Sequence, residues 1–197
     1  MLANFHMEVT WDYGWKHMCG LGDFENSEMC NTLFIGIIRN ELDWLNSFFR
    51  NPHHVPAKLT KNLSSFLFDP FYSVAPNGEI FQDHDYTKNN IFDMRTYKNN
   101  FLKNIMPTKV DKYILFQYED VRDNYDSILL HLKTQFNLKP KYTIFKNITY
   151  YKKTNTITYM PKNNTFTYSD IQALAKKRGM ILEPAVRPDG VSKLTPV

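Results

Sequence analysis

"TLFIGIIRNELDWLNSFFRNPHH", residues 32–54, changes its periodicity halfway along. Apolar residues run unbroken from Leu33 to Ile38, with Gly36 among them and no polar alternation, the pattern of a strand buried on both faces in the middle of a parallel sheet. After Arg39 the apolar positions return at helical spacing: Leu42, Leu45, Phe48 and Phe49 fall on one side of a helix that Asn40 can cap. Glu41 and Asp43 lie in its first turn, where the helix dipole favours negative charge, and Pro52 marks a point by which it has ended. The unit is strand, Arg39, helix. Ligands of open α/β sheets bind at the carboxyl ends of the strands, which is where Arg39 stands. Ser47, two helical turns on, can turn its hydroxyl back toward the strand end, and a guanidinium converging with a hydroxyl suits a phosphate. A solvated charge, or the partner of a nearby carboxylate, is the commoner role of an arginine after a strand.

The rest of the chain repeats the theme. "NIFDMRTYKNNFLKNIM", residues 90–106, carries Ile91, Met94, Tyr97, Phe101, Leu102 and Ile105 on a helical stripe. "KYILFQYEDV" follows with a strand at residues 113–116, and "NYDSILLHLKTQFNL" with a helix. Strand, helix, strand, helix predicts βαβ units and a parallel sheet. Shorter expectations are a strand at residues 7–10, a helical piece in "LSSFLFDPF", a surface excursion over residues 72–88, and a strand or arm at "YTIFKNITYYKK". "YSDIQALAKKRGM" predicts a helix capped by Ser169 and stopped near Gly179, and residues 183–197 read as a loose tail. The organisation expected is a single domain over residues 1–197.

Composition limits the function classes. In 197 residues, 43% hydrophobic and 15% aromatic content supports a substantial core, so the chain is globular. A net charge of +4, with the lysines scattered among asparagines and tyrosines, does not announce a nucleic-acid partner. Cys19 and Cys30 can form at most one bridge, which suits free thiols in a reducing compartment. No signal sequence opens the chain and no segment approaches a membrane span, so a cytoplasmic protein, in a cell or in a virus-infected host cytosol, is expected. The abundance of Asn, Lys, Ile and Tyr points to an AT-rich genome, such as that of a large DNA virus or a protist.

Four segments in order, "GWKH" (residues 14–17), "RNELDWLNSFFRNPHH" (39–54), "NIFDMRTYKNNFL" (90–102) and "LFQYEDV" (115–121), resemble a sulfotransferase family that uses the donor 3'-phosphoadenosine-5'-phosphosulfate (PAPS). There the pattern is a GWKH-like segment, Arg-Asn/Asp-Pro-Tyr-x-Trp-Leu-x-Ser followed by Pro-Tyr-His, an Asn-Pro-x-x-x-Arg-x-x-Lys helix, and a Tyr-Glu-Asp strand end. The spacing of Arg39, Trp44 and Ser47 is its most specific part. The resemblance implies a three-layer α/β fold of the P-loop sulfotransferase type, with a central parallel sheet flanked by helices. It implies that Arg39 and Ser47 hold the 3'-phosphate of the nucleotide and that Tyr118 lies against the adenine, unless Tyr118 is an interface tyrosine packed in the core. It implies further that His17 is the base at a hydroxyl or amine acceptor, worth about 10² to 10⁴ in rate, unless it only hydrogen-bonds a loop. Lys16 would meet the charge on the departing phosphate, on the order of 3 kcal/mol. The product would be 3'-phosphoadenosine 5'-phosphate (PAP), and no metal is called for. His53 and His54 match the Pro-Tyr-His segment with a substrate-side or loop-fixing role, and Arg95 and Lys98 lie nearly a turn apart on a helix, able to meet an anionic acceptor or to form a solvated face.

Two departures accompany the resemblance. Glu41 replaces the usual proline and would repel a nucleotide unless turned away. The Gly-containing Ser/Thr loop that wraps the 5'-phosphosulfate has no counterpart in the fourteen residues ahead of Trp15. The expectation is therefore an N-terminally incomplete domain without the sheet's first strand, a chain that takes the missing piece from a partner, or a decayed, non-catalytic relative that binds the nucleotide or another anion. A nucleotide kinase would need a Gly-x-x-x-x-Gly-Lys-Ser/Thr loop, which the sequence lacks. A zinc site from His17, Cys19 and Cys30 lacks the second paired spacing.

Overall fold

The structure, a computed structural model, describes residues 4–8, 29–52, 55–71, 89–145, 164–186 and 190–196. In chain order these form β1 (Phe34–Ile38), α1 (Glu41–Arg50), α2 (Leu63–Phe68), α3 (Ile91–Asn100), a π-helical stretch (Phe101–Ile105), α4 (Met106–Lys109), β2 (Tyr113–Gln117), α5 (Tyr118–Asp123), α6 (Tyr125–Gln135), α7 (Tyr168–Lys177), β3 (Met180–Glu183) and β4 (Lys193–Pro196). The chain is α/β, and its residues group into two compact units. Residues 11–117 and 164–197 form one; residues 1–10 and 118–163 form the other.

In the larger unit β1 and β2 pair in parallel, Phe34 opposite Tyr113 and Ile38 opposite Gln117, so the βαβ expectation holds for this pair. Among the described residues the sheet has these two strands, and Ile37 is 49% exposed. The expectation that β1 is buried on both faces is corrected: Ile38 is buried, its neighbour Ile37 faces outward, and the period is that of a half-buried strand. Gly36 has a specific reason to be glycine. A Cβ there would collide with the Tyr113 hydroxyl and come within 2.8 Å of Leu115 Cδ1, its cross-strand neighbour.

The core lies between helices. Leu45 of α1, Phe66 and Leu67 of α2, Ile91 and Phe92 of α3, Ile171 and Ala175 of α7 and Leu182 of β3 form one buried cluster. Phe48 and Phe49 extend it through rings centred 5.6 and 5.1 Å from that of Phe66. The stripe expected along residues 91–105 is split. Ile91 and Met94 enter this cluster, whereas Tyr97 and, in the π-helical stretch, Phe101, Leu102 and Ile105 pack with Met29, Met106 and Val110 in a second one.

Asn40, Asn62 and Asn90 cap α1, α2 and α3 through their side chains. α7 is capped by Thr167, not by Ser169: Thr167 and Asp170 form a reciprocal capping box, which leaves Ser169 inside the first turn. Gly179, at φ +67°, ends that helix as expected. The tail expected to be loose is tied down in part. β4 pairs antiparallel with β3, and Ser192 is buried. The smaller unit contains α5 and α6, with Phe5 bridged to Pro140 and Asn4 donating to the Tyr125 hydroxyl at 3.0 Å. Met7 and Glu8 are in no strand, and neither are residues 142–145; the remainder of those two expected segments, and residues 72–88, lie outside the described residues.

Candidate functional site

Arg39 follows the last residue of β1, and its backbone is fixed from three directions. Ile38 is in register with Gln117, the Arg39 carbonyl accepts from Arg95 Nη2 at 2.5 Å, and Asn40 is folded over the start of α1. Asn40 Oδ1 accepts from the N–H groups of Leu42 at 3.0 Å and Asp43 at 3.4 Å. These donors of the first turn are thereby engaged by the cap, and the Arg39 side chain is half-buried. Ser47 is half-buried in the second turn of α1, about 10 Å along the helix axis from Asn40 at the usual rise.

Glu41 is the residue whose role the sequence reading left undecided. It is 1% exposed and turned into the fold. Its Oε2 accepts from the Ser192 backbone N–H at 2.8 Å, and its Oε1 accepts from the Ser192 hydroxyl and, at 3.2 Å, from the Tyr168 hydroxyl. Arg95 Nε lies 3.7 Å from Oε2. Burial, then the Glu41 charge and hydrogen bond, push the Tyr168 phenol up to about 12, so it remains a protonated donor at neutral pH. The negative charge is thus spent on internal partners and balanced by Arg95.

Arg95 corrects a further expectation. It neither meets an acceptor from a solvated face nor stands beside Lys98 as a matched pair: it is 3% exposed, and Lys98 is half-buried in the last turn of α3. Its guanidinium carbon sits 4.9 Å from the centre of the Trp44 ring, within cation–π range. Trp44 packs against the main core cluster, as a core tryptophan should.

Of the residues expected to form the site, the structure keeps Arg39 and Ser47 in one β1–α1 unit. Tyr118 belongs to the smaller unit, where it opens α5 instead of ending a strand, with Glu119 and Asp120 in that helix's first turn. Lys16, His17, His53 and His54 lie outside the described residues. The sequence reading missed Glu41, Ser192 and Tyr168 as a connected group. One signal for it was readable: Glu41 precedes Leu45 by four and Phe48 by seven, so it falls on the apolar stripe of α1. Ser192 gives no comparable signal.

Comparison of the chain with protein-family models, with curated proteins and with solved structures returned no match. Among the described residues no helix is long and apolar enough to cross a membrane.

Proposed function

We propose that this chain is a sulfotransferase-like protein that binds PAPS, or its product PAP, and transfers the sulfuryl group to a hydroxyl or amine acceptor in a cytosolic compartment. The observation that carries the reading is the arrangement of a parallel strand, Arg39 at its carboxyl end, and a side-chain-capped helix bearing Ser47, the arrangement in which α/β proteins hold phosphates. Burial of Glu41 supports it further, since the carboxylate that would repel a nucleotide is directed inward. The three-layer sheet of that family is part of the proposal, with the β1–β2 pair as its core.

The chemistry assigned by resemblance is an in-line transfer. The acceptor oxygen or nitrogen forms a bond to sulfur as His17 takes its proton; the bridging bond from sulfur to the phosphate oxygen breaks, and its electron pair stays on the 5'-phosphate, where Lys16 meets the charge. Arg39 and Ser47 hold the 3'-phosphate throughout.

Calorimetric titration with PAP, beside adenosine 5'-monophosphate and an Arg39→Ala variant, tests the reading. Binding that requires both the 3'-phosphate and Arg39 is the expected result. No binding by the folded chain, or binding indifferent to Arg39, overturns it. Binding without turnover of PAPS by any acceptor tried identifies a nucleotide-binding module in place of an enzyme.

A further inference from the structure

We propose that Arg95, held by Glu41, is a positioning residue that aims Arg39 at its anion; the inference rests on the reading of Arg39 as a phosphate ligand. Arg95 grips the junction of β1 and α1 at three points: the carbonyl of Arg39 at 2.5 Å, the carboxylate of Glu41 at 3.7 Å, and the ring of Trp44 at 4.9 Å. These are residues 39, 41 and 44, so one guanidinium spans the strand end and the first turn of the helix.

A junction of strand and helix can be held by ordinary backbone bonds and packing, and taking a guanidinium out of water costs several kcal/mol before its partners compensate. What the buried charge adds here is direction. The Arg39 carbonyl belongs to the peptide that leads into Asn40, and Asn40 is itself locked by its two bonds to α1. Fixing that peptide plane fixes the backbone angles of Arg39 and therefore its Cα–Cβ direction. A long side chain magnifies any error: a rotation of about 15° at Cα sweeps a guanidinium roughly 6 Å away by about 1.5 Å, beyond the tolerance of a binding constellation.

Lysine cannot replace Arg95 in this role, because an ammonium is a point charge without the planar guanidinium that bonds the Arg39 carbonyl while facing the Glu41 carboxylate and the Trp44 ring. Glu41 in turn supplies the negative charge that Arg95 faces, 3.7 Å from its Nε, and is itself held by Ser192 and Tyr168. A chain of contacts thus runs from Ser192 through Glu41 and Arg95 to the Arg39 carbonyl.

The readout is the ratio of affinities for PAP and adenosine 5'-monophosphate, which differ in the 3'-phosphate. A merely structural residue would weaken both ligands together or move only the melting temperature. In Arg95→Lys the ratio is expected to fall about tenfold, the effect of misplacing one charge-assisted contact, with affinity for the monophosphate nearly unchanged. Glu41→Gln keeps the side-chain shape and removes the charge. Simple electrostatics predicts tighter nucleotide binding from that change, whereas loss of aim predicts a lower ratio. An unchanged or raised ratio in both variants, with wild-type binding that requires Arg39, overturns the inference and leaves the functional reading standing. Absence of Arg39-dependent binding in the wild type overturns both. If circular dichroism shows that Arg95→Lys does not fold, the direction of the change in Glu41→Gln decides.

Discussion

Arg95 on α3 donates to the backbone carbonyl of Arg39 at the end of β1, 56 residues earlier in the chain, while its Nε lies 3.7 Å from the buried carboxylate of Glu41. This relationship joins α3, the third helix of the crossover from β1 to β2, to the carboxyl end of β1, the point where such folds bind ligands. It also explains how a carboxylate is tolerated beside a proposed phosphate site. The charge is paired internally, with Arg95 and with the Ser192 and Tyr168 donors.

A buried ion pair is costly to break from one side. Glu41→Ala leaves Arg95 without its carboxylate and removes the acceptor of the buried Ser192 N–H, so a loss of about 3 to 5 kcal/mol in unfolding free energy is expected. Arg95→Met in the same background should add much less than it does alone, because the stranded charge is gone. Urea denaturation of the two single variants and the double variant measures this coupling. Additive effects would mean that the two side chains do not act as a pair.

Asn46 performs the same kind of work without charge. Its Nδ2 donates to the carbonyls of Leu42 and Phe166 at 2.9 and 3.0 Å, and its Oδ1 accepts from the N–H groups of Thr165 and Phe166 at 2.6 and 3.1 Å. It therefore holds the residues that lead into α7 against α1. Asn46→Ala orphans several of these groups and should cost about 2 to 4 kcal/mol. Asn46→Asp keeps the acceptor but points a second carboxylate oxygen at two carbonyls. Its folded-state pKa is then raised, so that variant should be least impaired at acidic pH and lose stability as pH rises above the unfolded carboxylate value of about 4, when measured against wild type at each pH. Equal destabilisation at pH 4 and pH 7 would count against this geometry.

The elements of the larger unit were legible in the sequence where one physical signal dominated. Asn40, Asn62 and Asn90 each precede an apolar helical run, and Gly179 follows one. The run from Phe34 to Ile38 was legible as a strand but not in its burial, because a continuous apolar string does not say which face a neighbour covers, and Ile37 is left outward. The π-helical stretch at Phe101–Ile105 was hidden because periodicity at 3.6 residues assumes a regular helix. The places of Arg39 after β1 and of Ser47 in α1 were readable from local spacing. The group of Glu41, Ser192 and Tyr168 was not, because its hydrogen bonds join residues 127 and 151 positions apart.

Gly36 and Tyr113 should show strong coupling. The Tyr113 hydroxyl donates to the Leu102 carbonyl at 2.8 Å and occupies the space that a Cβ on residue 36 would take. Gly36→Ala must displace that hydroxyl or push β1 from β2, at an expected cost of about 1 to 3 kcal/mol. Tyr113→Phe removes the obstructing oxygen at the cost of one hydrogen bond, about 1 kcal/mol. Combined, the two substitutions should therefore destabilise by less than their sum. A double-mutant cycle by thermal or urea unfolding checks this, and full additivity would mean that the strand shifts instead of the ring.

The same tyrosine, with Tyr168, makes stability sensitive to alkali. Burial pushes the Tyr113 phenol up to about 12 from 10.0; for Tyr168 burial, together with the Glu41 charge, does the same. A phenol that ionises more easily in the unfolded chain than in the fold favours unfolding once pH passes the unfolded value. Its contribution is intact below pH 10 and is lost progressively as pH rises toward 12. The comparison that isolates the effect is wild type against Tyr113→Phe and Tyr168→Phe, followed by urea midpoints from pH 8 to about pH 11.5. The advantage of wild type over each phenylalanine variant should shrink across that interval. Both rings are only partly buried, so solvent screening keeps the slope shallow, and the two substitutions together should flatten it more than either alone. A constant gap at all pH values would show that neither phenol is shielded from water as the geometry around Leu102 and Glu41 requires.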